Sequence, residues 1–177
     1  HQHFCETNCK LNCVSHCLTM EPDIISFGKK TQCCGIFAGK RLDEIDDHVF
    51  KESSRINSTF GGNLVDMVRF TIYLEIMESE NLVDLVSENG SYLLSSLVSL
   101  QNEESNVVSN VRGKGLFCAF DLPSSELRNN LIAKVEEEGA LILGCGHRSI
   151  RFRPHLNISK NEIDRALVMI KSAMSKI

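Results

Sequence analysis

Apolar residues fall in short runs before residue 63, in long helical periods from 63 to 100, and in alternating runs and periods after residue 107. Ile24–Phe27 is a short apolar run entered from Pro22 and left through Gly28. That is strand length, and a short run so bounded suits a buried parallel strand better than a helix. Cys33 to Gly39 is a second apolar, glycine-bounded run, expected to return beside the first. Residues 41–58 are polar, acidic and aperiodic, and read as loop with one helical turn. Asn63 then caps a helix predicted to run to about Glu78. Leu64, Met67, Val68, Ile72 and Ile76 keep helical spacing, while Val65, Phe70, Tyr73, Leu74 and Met77 fill its other sides. A helix apolar on most sides is expected to be buried on most sides. The next helix, about Leu82 to Leu100, carries Val86, Leu93, Leu94, Leu97 and Leu100 as one stripe, which Gly90 weakens.

After residue 107 the runs Val107–Gly113 and Leu116–Phe120 read as strands hinged on Gly113-Lys114-Gly115. Pro123-Ser124 opens a helix with Leu127, Leu131 and Val135 on one face, closed by Gly139. Ala140–Leu143 and Ser149–Phe152 are two more strands around a Gly-Cys-Gly turn. The last helix opens on the capping box Ser159-x-x-Glu162 and shows Ile163, Ala166, Leu167, Ile170 and Met174 at helical spacing. This order predicts an α+β layer, with helices on one face of a small, mostly antiparallel sheet.

At 177 residues, 42% hydrophobic, with a formal charge of −4, the chain can bury a core and has no electrostatic reason to bind nucleic acid. No apolar run approaches the length of a membrane span, and the first residues form no signal-peptide core. The sequence starts with His1, which suggests a fragment. Eight cysteines change the picture only locally. Cys33, Cys34, Cys118 and Cys145 have apolar or glycine neighbours and are expected as small core residues of a reduced, intracellular protein. Cys5, Cys9, Cys13 and Cys17 recur every four residues with His1, His3 and His16 nearby. Structural zinc sites pair ligands closely and then separate the pairs by a longer loop, so no metal is assigned. Residues 1–20 are expected to be a leader foreign to the rest.

The candidate chemistry starts at Lys29. A lysine just past a strand sits at a sheet rim, where α/β folds bind ligands. Beside a second ammonium, and partly buried, it would lose proton affinity, as a Schiff-base lysine must. Lys30 competes for that role, and a pair of solvated lysines in a turn is the plainer reading. Small hydroxyl residues Ser58 and Thr59 next to Gly61-Gly62 allow backbone N–H groups and a hydroxyl to approach an anion, or form an ordinary turn before the Asn63 cap. Arg151, on a strand, offers a guanidinium fork to a carboxylate, or forms a surface ion pair. Cys118 and Cys145 have no base partner, and His147 and His155 are expected in exposed loops. Glu136-Glu137-Glu138 reads as a solvated helix end.

Asp23-Ile24-Ile25-Ser26-Phe27-Gly28-Lys29 resembles the cofactor-lysine segment of the class III (omega) aminotransferases, fold-type I enzymes that use pyridoxal 5'-phosphate. Arg55–Asn63, Val111–Cys118 and Ser149–Pro154 match the same family in the same order, so the resemblance runs from about Glu21 to Ile177. The resemblance implies an α/β arrangement, with the end of the large cofactor domain at 21–62, a linking helix at 63–80 packed in a subunit interface, and a small α+β domain at 81–177. It implies Lys29 as catalytic and cofactor-anchoring residue, Thr59 on the phosphate of the neighbouring subunit's cofactor in a homodimer, and Arg151 on a substrate carboxylate, with Arg153 structural. The branch most similar moves the ε-amino group of L-lysine to 2-oxoglutarate; a 4-aminobutyrate-specific branch is the alternative. The glycine pair that often follows the lysine is replaced here by Lys30-Thr31-Gln32-Cys33-Cys34. The family's Asp-Glu-x-x-x-Gly pattern, its glycine-rich phosphate loop and its ring-stacking aromatic find no match, so the chain alone is expected to be inactive. Amino and 2-oxo acids are the expected partners, with no nucleic acid or membrane, in the cytoplasm.

Overall fold

The structure, a computed structural model, describes residues 23–56 and 62–177. The chain divides into two compact units, one ending at Val83 and the other running from Asp84 to Ile177.

In the first unit, β1 (Ile24–Phe27) and β2 (Gly35–Ala38) flank a 3-10 turn at Lys29–Thr31, and a second 3-10 turn spans Lys40–Glu44. α1 (Leu64–Ser79) follows, with the Asn63 side chain accepting a hydrogen bond from the Val65 N–H at 3.0 Å. Phe27 explains the register. It lies opposite Gly35, where a Cβ would meet its ring at 2.4 Å, so only glycine lets the ring lie flat across the hairpin. The ring then stacks on Phe37 at 4.5 Å and on Phe70 of α1 at 5.6 Å. The open end is tied by the Gly39 N–H on the Asp23 carbonyl at 2.8 Å and by Arg41 on the Asp23 carboxylate at 3.0 Å.

Two expectations fail here. β1 is neither parallel nor buried: it pairs antiparallel with β2 and exposes Ile24 and Ser26 while half-burying Ile25 and Phe27. A two-stranded hairpin has too little surface to enclose its own apolar residues. α1 forms as predicted but has no buried residue, and Leu64, Val65 and Val68 are among its exposed apolar side chains. Its composition is that of a covered helix, and the described residues of its own unit do not supply the cover.

The second unit holds α2 (Leu82–Glu103), β3 (Ser109–Lys114), β4 (Phe117–Asp121), α3 (Ser125–Glu137), β5 (Leu143–Cys145), β6 (Ser149–Phe152) and α4 (Lys160–Met174). The strands form one antiparallel sheet in the order β3-β4-β6-β5. A single core joins Val86, Leu93, Leu97 and Leu100 of α2 to Phe120 and Ile150 of the sheet, Leu131 and Val135 of α3, and Ile163, Leu167 and Ile170 of α4. The helices therefore cover one sheet face, as the periodicities predicted. Phe120 is fully buried; a side chain so placed contributes roughly 1.5–3 kcal/mol.

Caps set the boundaries. Ser124 accepts from the Leu127 N–H at 3.1 Å, and the Ser159–Glu162 capping box is complete. At the end of α3 the Gly139 N–H reaches the Glu136 carbonyl at 3.0 Å and the Ala140 N–H the Val135 carbonyl at 3.1 Å, with Gly139 at φ 93°. This Schellman closure ties Ala140 to the helix end. The strand expected at Ala140–Leu143 accordingly starts only at Leu143. The Val107 and Val108 N–H groups likewise both reach the Glu104 carbonyl, so β3 starts at Ser109. The acidic end of α3 is ion-paired, Lys134 holding Glu137 at 2.9 Å and Lys176 holding Glu138. These cations offset carboxylates that the helix dipole disfavours there. Of the four cysteines expected in the core, only Cys118 is buried; Cys34 is exposed and Cys33 and Cys145 are intermediate.

Candidate active site

Lys29 stands at a strained point of the backbone. Its φ is 64°, in the left-handed region that an L-residue with a Cβ enters at a cost of roughly 1–2 kcal/mol. Gly28 before it is extended at φ 169°, and Gln32 after it is also left-handed at φ 60°. The turn is held by more than its own hydrogen bond. Gln32 donates to the Lys29 carbonyl twice, from its backbone N–H at 3.1 Å and from Nε2 at 3.2 Å. Arg69 of α1 donates to Gln32 Oε1 at 3.2 Å, and the hydroxyl of the buried Thr31 donates to the Cys33 carbonyl at 2.6 Å. Cys34 Sγ packs so close to Gly28 that a Cβ there would stand 2.8 Å from the sulfur. Such over-determined strain is concentrated at functional sites. The Lys29 side chain is exposed within the chain. A primary amine on a braced turn can be presented to an aldehyde; the turn residues themselves carry no acid that would hold it in an ion pair.

Thr59 lies outside the described residues, so its expected role on a phosphate is not located by the structure.

Arg151 stands in β6, opposite Ala119 of β4 and Leu143 of β5. Its Nε is buried with no hydrogen-bond partner, the single such side-chain atom among the described residues. An unpaired buried donor costs roughly 1–3 kcal/mol, which an incoming anion would recover in part by engaging the guanidinium. Arg151 and Arg153 also contribute to the wall of a cavity of about 340 Å³ that is otherwise lined by apolar residues such as Leu93, Ile142, Phe152, Ile158 and Leu167. Lys29 and Arg151 fall in different units, each placed by its own fold.

The remaining candidates do not form a reactive centre. Burial pushes the Cys118 thiol up to about 11, and its S–H is turned to the Gly115 carbonyl at 3.4 Å. A thiol so protonated is inert. His147 and His155 are exposed, as expected. One group was missed: Arg112, Asp121 and Ser149 converge on the sheet face that carries Arg151. Asp121 had a signal, an acid closing an apolar strand run. Arg112 was visible only as part of the Val-Arg-Gly-Lys-Gly motif, without a partner.

Comparison with known proteins identifies the family. The family described as Aminotransferase class-III matches residues 8–174, a span that begins inside the cysteine-rich stretch. The chain is similar to an L-lysine-epsilon aminotransferase of Streptomyces clavuligerus, 46% identical over 161 residues that make up 90% of this chain and 35% of that protein. A mitochondrial 4-aminobutyrate aminotransferase of Rattus norvegicus is 36% identical over 136 residues, 76% of this chain and 26% of its own length. A solved lysine aminotransferase from M. tuberculosis superposes with a TM-score of 0.90 at 42% identity, covering 97% of this chain and 40% of that one. The chain thus spans 35% of the length of the L-lysine-epsilon aminotransferase it matches. A family match over nearly all of its residues, together with a fold shared at that level of identity, makes the chain a member of the class III aminotransferases.

Proposed function

We propose that this chain is part of a pyridoxal-phosphate-dependent aminotransferase that moves the ε-amino group of L-lysine to 2-oxoglutarate. The observation that carries the reading is Arg151, a guanidinium with an unpaired buried Nε, in a chain 46% identical to a lysine-epsilon aminotransferase. Transfer to 4-aminobutyrate chemistry has weaker support, at 36% identity. Of the groups the cofactor needs, the described residues supply the one its aldehyde requires, the braced, exposed amine of Lys29. When bound, pyridoxal phosphate supplies the aldehyde and the electron-withdrawing ring that stabilise charge on the substrate carbon. Lys29 is the group that anchors it and then carries a proton at Nζ. Arg151 orients the substrate by its carboxylate, and Thr59 is assigned to the cofactor phosphate of the neighbouring subunit. A homodimer accords with the exposed apolar sides of α1, and a cytoplasmic location belongs to the same reading.

Borohydride reduction with pyridoxal phosphate, followed by peptide mapping, tests the anchor. Stable label on Lys29 is expected; label absent, or spread over surface lysines, would overturn it. With the label established, release of the aldehyde product from L-lysine but not from 4-aminobutyrate, by the full-length protein that contains this chain, identifies the donor. The opposite preference would move the chain to the other branch.

A further inference from the structure

The sheet face opposite the core carries two arginines in one row. Arg112 of β3 pairs with Ala119 of β4, and Ala119 pairs with Arg151 of β6. Directly paired residues project to the same face, so the two guanidinium groups flank a single methyl group. They have opposite fates. Arg151 keeps an unpaired Nε, whereas Arg112 is drawn out of the row towards the next one, where Asp121 pairs with Ser149. Arg112 Nη1 donates to Asp121 Oδ1 at 2.8 Å and Nη2 donates to Ser149 Oγ at 3.1 Å. Ser149 Oγ donates in turn to Asp121 Oδ1 at 2.6 Å, and Asn110 Nδ2 donates to Asp121 Oδ2 at 2.8 Å.

A β-bulge makes this convergence geometrically available. β3 spends three steps from Ser109 to Arg112 where β4 spends two from Asp121 to Ala119, and Asn110 takes the extra step at φ 52°. Bulges re-aim side chains beside binding sites. Here the bulge turns Asn110 and Arg112 onto one carboxylate, and Arg112 Nη1 also reaches the Asn110 carbonyl at 2.8 Å.

We propose that Asp121 is a positioning residue for carboxylate recognition: it sequesters Arg112 and so leaves Arg151 as the guanidinium of this row offered to the substrate. The proposal rests on the reading of Arg151 as the carboxylate receptor. Its physical content is selectivity. Two free guanidinium groups flanking Ala119 would hold a carboxylate in two registers, or draw a dicarboxylate across both. Neutralising one inside the protein fixes the register from which the reacting end of the substrate is placed.

The test is calorimetric binding of 2-oxoglutarate to the pyridoxal-phosphate-loaded full-length protein that contains this chain, and to its variants. Arg151→Met is expected to weaken binding at least about tenfold; unchanged binding would overturn the reading of Arg151 itself. In Asp121→Asn/Arg151→Met the released Arg112 is expected to recover much of that loss, and adding Arg112→Met to abolish the recovery. A merely structural role for Asp121 cannot restore binding. No recovery in a variant that retains wild-type circular dichroism would overturn the proposal while leaving Arg151 in place. If Asp121→Asn fails to fold, phenylglyoxal labelling of the wild type decides instead. Arg151 should be modified and be protected by 2-oxoglutarate, with Arg112 unprotected. Equal protection of both arginines would overturn the sequestration.

Discussion

Gly90, in the middle of α2, lies against Gly115 in the β3–β4 turn so closely that a Cβ on Gly90 would stand 2.2 Å from the Gly115 carbonyl carbon and 2.4 Å from its Cα. The contact is between backbones. It lets the hairpin turn dock onto the helix, with Leu116 directly after the contact fully buried. Gly115 itself turns at φ 54°, so the docking uses glycine on both sides for different reasons, space on one and conformation on the other.

Gly90→Ala sets two effects against each other. Alanine improves helix propensity by about 1 kcal/mol. The clash meets main chain, which cannot swing aside, and overpacking of this kind costs about 1–3 kcal/mol or more. The clash meets backbone on both sides and should win, with a net loss of up to about 2 kcal/mol in urea unfolding. A Gly90→Ala protein as stable as the wild type would show that the hairpin does not dock on α2 as described.

Asp121 links the site to acid stability. Burial alone would push its carboxyl up, but hydrogen bonds from Ser149, Asn110 and Arg112, with the Arg112 charge, outweigh burial and hold it at about 2. A carboxyl depressed in the folded state adds stability that is present above its ordinary value of 3.8 and is lost as pH falls towards 2. The contribution is of order 1–2 kcal/mol, since the half-exposed Arg112 is screened by solvent. Between pH 4 and 2 the Asp121→Asn protein should therefore lose less stability than the wild type, by about that amount. Parallel stability curves over that range would show the carboxylate to be unperturbed.

The helices, their caps and the succession of elements along the second unit were legible because local patterns decide them. The Ser159 capping box, the Leu93-Leu97-Leu100 stripe and the Gly139 stop each act within a few residues. What was not legible depends on residues distant in sequence. Gly90 read as a weakness in a helix because its partner, Gly115, lies beyond the next loop. The apolar run Ile24–Phe27 implied a covered strand, yet periodicity records that a surface needs cover and not which surface supplies it. At the candidate site, motif order found Lys29 and Arg151, whereas the Arg112–Asp121–Ser149 cluster needed the bulge in β3, and no residue pattern announces a bulge.

The described cysteines should separate by labelling. Cys34 is exposed, whereas Cys118 is buried with its thiol raised to about 11. Iodoacetamide at pH 8 followed by peptide mapping should modify Cys34 in the native protein and Cys118 only after unfolding. Native modification of Cys118 would place its strand outside the core.

Asn89 tests how α2 is fastened to the start of α4. It is buried, and its Nδ2 donates to the Ile158 carbonyl at 2.7 Å, one residue before the Ser159 cap. Asn89→Ala leaves that carbonyl without its partner, at a cost of roughly 1–3 kcal/mol. Ser159→Ala should cost about 1 kcal/mol through the cap. Both act at the same helix start, so the double variant is expected to depart from the sum of the singles by more than 0.5 kcal/mol or so. Strict additivity would show the cap and the Asn89 contact to be independent.

The strain at Lys29 gives a prediction that separates its backbone from its amine. Lys29→Ala and Lys29→Gly both remove the ammonium, and with it the expected borohydride label. They differ at the main chain, where φ is 64°. Alanine keeps the Cβ penalty of the left-handed region, while glycine relieves it at roughly 1–2 kcal/mol. The greater freedom of glycine in the unfolded chain returns about 0.4–1 kcal/mol. The balance favours glycine, so Lys29→Gly should unfold at a higher urea concentration than Lys29→Ala, and no lower than the wild type. That ordering would mean the lysine is kept at a position where it costs stability, and its amine must then be justified by chemistry. The reverse ordering would show a relaxed turn, and the structural argument for Lys29 would fall back on its sequence neighbours alone.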